Sequence, residues 1–320
     1  MEFTQGVRFD SLGLTEEVQR ALKKKNIEES TPVQAGCIPP MREWKDVIAK
    51  APTGTGKTFA FGIPIIEHIE PGSEETEAVI LAPTRELAMQ ITAELRDLCV
   101  YLPGVRIVCL YGGAPIGKQI DALKKHPQIV VATPGRLMDH YNRKNLRLDR
   151  IKTVILDEAD RMLDMGFYDD IMQVHKQLPP YCQTIMFSAT MPPKIRTLAK
   201  TILKDPEEVK IAISRPPESI MQTAYICYDP QKLKILQDLF TQSRPQRVII
   251  FSSSKMKVKE LASTLKRLKF NVAAMHSDLE QSQREEVMKE FKSGHIDILV
   301  ATDVVARGID INDIKLVVNF

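Results

Sequence analysis

No stretch of this 320-residue chain approaches the ~20 consecutive apolar residues that a membrane-spanning helix requires. Its N-terminus, MEFTQGVRFD, carries acids and lacks an apolar run, so it does not read as a secretion signal. Cysteine is sparse: Cys37, Cys99, Cys109, Cys182 and Cys227 are scattered, with no CxxC pair. That excludes a zinc ribbon or a disulfide framework as the organising device and fits a reducing compartment. Charge of one sign is also lacking, since Lys+Arg exceed Asp+Glu by only 44 to 41. The two signs balance at 28 and 28 over residues 1–212, with 16 against 13 over 213–320. A protein that coated nucleic acid by bulk charge would be more basic, so any such partner must be held by local clusters. A cytoplasmic, monomeric protein without membrane contact is the expectation.

What is present is alternation. Short runs rich in β-branched residues recur at Asp46–Ala49, Ala78–Ala82, Val105–Leu110, Ile129–Ala132, Thr153–Leu156 and Gln183–Phe187. Between them lie segments of helical period at Leu14–Lys25, Lys57–His68, Arg85–Cys99, Pro115–Lys125 and Lys194–Leu203. Strands apolar on both faces and separated by helices predict buried parallel sheets of the α/β class. Pro216-Pro217 interrupts the pattern, because proline continues neither a helix nor a central strand. The alternation then restarts, with strands predicted at Gln222–Cys227, Arg247–Phe251, Val272–Met275, Asp297–Ala301 and Lys315–Asn319. Helices are predicted at Gln231–Gln242, Met256–Leu268 and Gln281–Ser293. The organisation expected is a first domain over 1–212, a linker or hinge over 213–222, and a second domain over 223–320. Because the chain stops directly after a strand, the second domain is expected to be incomplete.

Three segments fall where such sheets bind ligands, just past the carboxyl ends of strands. Ala51, Pro52, Thr53, Gly54, Thr55, Gly56, Lys57 and Thr58 follow a strand and open a helix. Successive amides in such a turn cradle phosphates, with Lys57 reaching the β- and γ-phosphates and the Thr58 hydroxyl offered to Mg²⁺. A Gly-rich turn that merely starts a helix is the plainer alternative. Asp157-Glu-Ala-Asp160 follows Val154-Ile-Leu156. There Asp157 would hold Mg²⁺ and Glu158 would orient and deprotonate a water, against the alternative of an acidic helix start. Ser188-Ala-Thr190 follows the next strand and would bond Asp160 and sense the γ-phosphate, or simply cap a helix. Gln34, ending the helix-turn segment Ser30-Thr-Pro-Val-Gln34, has an amide suited to the edge atoms of adenine. Trp44 is expected to anchor a loop in the core.

Taken together these segments resemble the DEAD-box ATP-dependent RNA helicases of superfamily 2. Phe9, Ile27, Thr31 and Gln34 look like the family's Q motif, with Asn26-Ile27 and Ser30 standing where Gly-Phe and Pro are usual. APTGTGKT, PTREL, Gly112-Gly113, TPGR, DEAD and SAT follow in the family's order, then Val248–Phe251, Gln281–Arg284 and Ala301–Asp310. The resemblance implies two tandem RecA-like domains, with ATP and Mg²⁺ as cofactors and single-stranded RNA as a sequence-tolerant partner. It implies RNA contacts from Pro83, Thr84, Arg85, Gly113, Thr133, Gly135 and Arg136, and from Phe251, Gln281, Arg284 and Thr302. It implies a nucleotide set of Phe9, Ile27, Thr31, Gln34, Asp160 and Asp310 around the phosphate loop, and a catalytic set of Glu158, Asp157, Lys57, Ser188 and Thr190. The family's arginine-finger motif is not found within residues 1–320, so this chain alone is expected to turn over slowly. An ATP-gated RNA clamp and a DNA-directed motor are the competing readings.

Overall fold

The computed structural model describes residues 2–3, 5–211, 220–242, 245–302 and 313–320. It divides into two compact units, Met1–Arg215 and Pro216–Phe320. The proposed hinge falls mostly on residues outside the described parts, as does Asp310.

Unit 1 contains strands β1 (Glu2–Phe3), β2 (Val47–Lys50), β3 (Ala78–Leu81), β4 (Ile107–Leu110), β5 (Ile129–Ala132), β6 (Thr153–Leu156), β7 (Gln183–Ser188) and β8 (Glu207–Ile211). Its helices are α1 (Glu16–Lys24), α2 (Pro32–Arg42), α3 (Lys57–His68), α4 (Arg85–Leu98), α5 (Ile116–Leu123), α6 (Pro134–Asn142), α7 (Ala159–Asp164), α8 (Tyr168–Gln177) and α9 (Pro193–Ile202). All strand pairs are parallel, in the order β1-β8-β2-β7-β6-β3-β5-β4. The alternation of strand side chains builds two cores. Ala78 and Ile80 face one, packed with α1 to α4, while Val79 and Leu81 face the other, packed with α5 to α9. Each central strand is thus buried on both sides, which is why its sequence is apolar throughout.

Unit 2 contains α10 (Asp229–Gln242), β9 (Val248–Ser252), α11 (Lys255–Arg267), β10 (Val272–Met275), α12 (Gln281–Ser293), β11 (Ile298–Thr302) and β12 (Leu316–Asn319). Its parallel sheet is ordered β10-β11-β9-β12.

Three local expectations differ from the structure. The segment 222–227 forms no strand; Tyr225, Ile226 and Tyr228 stand exposed, and a strand exists only where a neighbour takes its hydrogen bonds. Ser30–Gln34 does not end a helix segment but opens one: Thr31 is the N-cap of α2, and the helix runs on through Pro39 and Pro40. Trp44 is not in the core. It is 45% exposed and stacks on His68 with ring centroids 3.9 Å apart.

Candidate functional site

Because every strand of the first sheet is parallel and in register, all strand carboxyl ends meet at one edge. The sheet order sorts them. The ends of β2, β7 and β6 are neighbours and carry the phosphate loop, Ser188-Ala-Thr190 and Asp157–Asp160. The ends of β3, β5 and β4 are neighbours and carry Pro83–Arg85, Thr133–Arg136 and Gly112-Gly113.

In the first group, Ala51 donates its amide to Ser188 O at 3.0 Å, joining the loop to β7. Gly54 (φ 80°) and Gly56 (φ 84°) hold left-handed backbone, and a Cβ on Gly56 would meet Gln34 Nε2 at 2.5 Å. Only glycine fits there. α3 starts at Lys57, so its unpaired amides and positive dipole end face this turn. Lys57 Nζ lies 3.4 Å from Asp157 Oδ1, with both side chains buried. That ammonium has no hydrogen-bond partner among the described residues. Its one charge partner is Asp157, so the remaining ammonium hydrogens are buried without an acceptor, and a second anion arriving there would be favoured.

Burial pushes the Asp157 carboxyl above the ordinary aspartate range, opposed by Lys57 and reinforced by Glu158. Glu158 Oε1 accepts from the Thr53 hydroxyl at 3.2 Å, and its Oε2 pairs with Arg161 Nη1 at 2.9 Å. Asp160 Oδ2 accepts the Thr190 hydroxyl at 2.6 Å and the Thr190 amide at 2.9 Å, while Ser188 Oγ donates to Thr190 O. Burial acts to raise Asp160, but the Thr190 and Ser188 bonds outweigh it and hold the carboxyl below its usual range.

The predicted adenine group is brought to the same turn, with a difference. Thr31 and Gln34 form a capping box: Thr31 N donates to Gln34 Oε1 at 2.8 Å, and Gln34 N donates to Thr31 Oγ1. Gln34 Nε2 donates to Gly56 O at 3.0 Å. One function of the amide is therefore spent on capping α2 and another on joining α2 to the loop at Gly56. Phe9 is 4% exposed within the core, with Ile27 packed against the same cluster, so the Phe9 ring acts as packing.

In the second group, Thr84 N-caps α4 and accepts from Leu87 N. A Cβ on Gly113 (φ 86°) would lie 2.7 Å from Arg85 Nη1, so the glycine lets the guanidinium lie against the β4 turn. Pro83 is buried, Gly135 is exposed at the start of α6, and Thr133 is its N-cap. Arg136 Nη1 donates to Ala114 O at 3.3 Å and to Gln119 Oε1 at 3.2 Å, and Gln119 in turn donates to Tyr111 O. Gln119, which the sequence did not single out, ties the two loops together; only its buried position in α5 betrays it.

In unit 2, Phe251 and Thr302 lie one register step apart at the carboxyl ends of β9 and β11. Arg284, on the first turn of α12, donates through Nε to Leu279 O at 3.0 Å and through Nη2 to Ser277 O at 2.9 Å. The Gln281 side chain lies outside the described parts.

The donor set suits a magnesium-bound polyphosphate. No group of three or more acidic, His or Cys side chains that could cage a metal occurs among the described residues. The Asp157 carboxylate lies beside the Lys57 ammonium, Thr58 is buried on the first turn of the same helix as Lys57, and Mg²⁺ is typically held through one or two carboxylates plus substrate phosphates. No helix among the described residues is long and apolar enough to cross a membrane.

Comparison with known proteins agrees with this geometry. A family profile described as DEAD/DEAH box helicase matches residues 31–198, and one described as helicase conserved C-terminal domain matches 231–320. The chain is 45% identical over 315 residues to the ATP-dependent RNA helicase CshA of Limosilactobacillus reuteri, covering 98% of this chain and 63% of that protein. It is 45% identical over 313 residues to the DEAD-box ATP-dependent RNA helicase CshA of Geobacillus kaustophilus, covering 98% and 67%. The chain thus spans less than two thirds of the first relative's length. Among solved structures, S. cerevisiae Dbp5 bound to RNA and ADP BeF3 superposes with TM-score 0.86 at 30% identity, covering 98% of this chain and 80% of that one. A DEAD box protein from Methanococcus jannaschii gives TM-score 0.62 at 40% identity, covering 98% and 84%.

Proposed function

We propose, from the premise that this chain belongs to the DEAD/DEAH box helicase family, that it forms the motor part of an ATP-dependent RNA helicase of the cytoplasm. The observation that carries the reading is the Lys57–Asp157 pair, both members buried and 3.4 Å apart, one at the start of α3 and the other just past the end of β6. An ammonium and a carboxylate held out of water beside a helix start are poised for a triphosphate and its metal.

The loop Ala51–Thr58 would bind the phosphates through its amides, with Lys57 neutralising charge on the β- and γ-groups. Gln34 would hold the adenine edge with its remaining amide hydrogen, Phe9 and Ile27 backing that wall. A bound magnesium ion, held by Asp157 and Thr58, would offset charge on the triphosphate. Glu158 takes the proton of a water as its oxygen bonds to the γ-phosphorus and the β–γ bridge oxygen departs. Asp160, Ser188 and Thr190 couple that event to the neighbouring strand end. Thr84, Arg85, Gly113, Thr133, Gly135 and Arg136 would grip RNA, with Phe251, Gln281, Arg284 and Thr302 doing so from the second unit. Contacts to sugar and phosphate position the strand without reading its sequence.

ATP and RNA would bind the closed pair of domains better than the open pair, with 213–222 as hinge and Asp310 meeting the ribose. Closure melts a short duplex, and hydrolysis reopens the cleft. The whole protein is expected to hydrolyse ATP when RNA is present. The chain 1–320, lacking the finger arginines worth ~10³–10⁵ in rate, is expected to turn over slowly. The test is strand release from a short RNA duplex with ATP and with a non-hydrolysable analogue. Release by ATP, with Glu158→Gln holding single-stranded RNA longer, fits a helicase. Strand holding that is indifferent to hydrolysis would replace the reading with an ATP-gated clamp.

A further inference from the structure

The geometry points to Arg161 as a positioning residue for hydrolysis, one that aims the Glu158 carboxylate at the phosphate loop; this rests on the reading of Glu158 as the base. Glu158 is the N-cap of α7 yet makes no capping bond, and its backbone is left-handed at φ 52°, ψ 51°. Such a conformation costs a non-glycine residue about 1 kcal/mol or more, so something else must hold it. The amides at this helix start are served by other acids: Glu158 N donates to Asp157 Oδ1 at 2.9 Å and Arg161 N to Asp160 Oδ1 at 3.1 Å. The Glu158 carboxylate is therefore not spent on the helix.

Its two oxygens have unequal partners. Oε2 is held by Arg161 Nη1 at 2.9 Å, with the two side chains 8% and 11% exposed. This is no screened i,i+3 pair on a helix surface, where such contacts contribute little. Among the described residues Oε1 is met only by the Thr53 hydroxyl, at 3.2 Å, from an exposed loop residue. The short, buried contact holds Oε2 in place, and with it the direction in which Oε1 faces the loop; a water's O–H would replace the longer Thr53 contact. The backbone that carries Arg161 is itself anchored, since Arg161 and Met162 both donate amides to Glu158 O at 3.0 Å and Met162 is buried in the core. A terminal carboxylate torsion is otherwise broad, and misplacing a reacting group by about 1 Å costs up to ~10²-fold in rate.

The test is single-turnover hydrolysis with the whole protein that carries residues 1–320, in excess over labelled ATP and with saturating single-stranded RNA, reading the rate constant and the half-saturating concentration separately. Arg161→Gln is expected to lower the rate constant about tenfold or more while leaving half-saturation within about twofold. Arg161→Lys keeps the cation but loses the planar fork, and is expected to recover part of the rate. Glu158→Gln sets the floor. A rate for Arg161→Gln within about twofold of the wild type overturns the assignment, as does a loss that appears only in half-saturation. Should Arg161→Gln fail to fold, Arg161→Lys decides: a lowered rate at unchanged half-saturation supports the role, and an unchanged rate removes it. If Glu158→Gln itself hydrolyses at the wild-type rate, the identity of the base is what fails.

Discussion

Replacing Lys57 with Met removes the cation that faces Asp157 while nearly keeping the side-chain volume, and its cost follows from the burial of both groups. Removing one partner of a buried pair typically costs about 3–5 kcal/mol, because a charge is left in a dry site. Two features place this case at the low end. The Lys57 ammonium lacks a hydrogen-bond partner among the described residues, so deleting it also relieves a desolvation cost. Burial already pushes the Asp157 carboxyl upward, so it can take up a proton instead of standing bare. A loss of about 3 kcal/mol near pH 8 is expected.

The sign of its pH dependence follows from the same shift. A carboxyl whose folded value is raised binds more protons in the native state, so it lowers stability as pH climbs from the ordinary aspartate range up through the folded value. Lys57 opposes that rise; without it the window extends to higher pH, and the gap to the wild type widens with pH. Near pH 5 the loss is expected to shrink to about half or less. The assay is built into the chain: Trp44 is its single tryptophan, lies in unit 1 and stacks on His68, so fluorescence during urea unfolding follows that unit. A loss under about 1 kcal/mol near pH 8, or one equal at both pH values, would refute the reasoning.

Thr190→Val removes the 2.6 Å bond that helps depress Asp160. Since the bond is exposed, a loss of about 1 kcal/mol is expected near neutral pH, fading as pH falls through the folded carboxyl value; a gap that grows in acid contradicts it. Gln34→Ala removes both the capping-box partner of Thr31 and the bond to Gly56 O. It should lower the Trp44-monitored stability by about 1–2 kcal/mol and weaken adenine nucleotides more than guanine nucleotides in equilibrium binding. Burial pushes the Cys37 thiol well upward and lifts Cys99 and Cys182 to about 12. A thiol reagent should leave these three unmodified in the folded chain and label them in urea, and fast labelling of Cys37 in native buffer would contradict its burial.

Much of this architecture was written in local pattern. Runs such as Ala78–Leu81 and Ile129–Ala132 are apolar at every position because a parallel strand between two helix layers has no wet face. Helix starts at Lys57 and Arg85 were legible from the turn residues before them. α2 was hidden by Pro39 and Pro40, which break the usual helical signal yet are accommodated where the helix packs against the core. The strand expected at 222–227 shows the opposite error: propensity without a neighbouring strand makes no ladder.

The segments proposed as phosphate loop, acidic strand end and RNA contacts were legible in the sequence, each with its place in the chain order, because each motif is a short stretch whose chemistry is local. Which motifs become neighbours was not. Residues 51–58 and 157–160 are separated by about one hundred positions, and only the crossovers that put β7 between β2 and β6 bring Lys57 to Asp157. The same ordering leaves β3, β5 and β4 to gather Arg85, Gly113 and Arg136 at the other half of the edge. Periodicity specifies which face of an element is buried but carries no information on the order in which strands are laid down. Contacts such as Gln34 with Gly56 and Thr53 with Glu158 depend on backbone direction and loop path, and so belong to the tertiary structure alone.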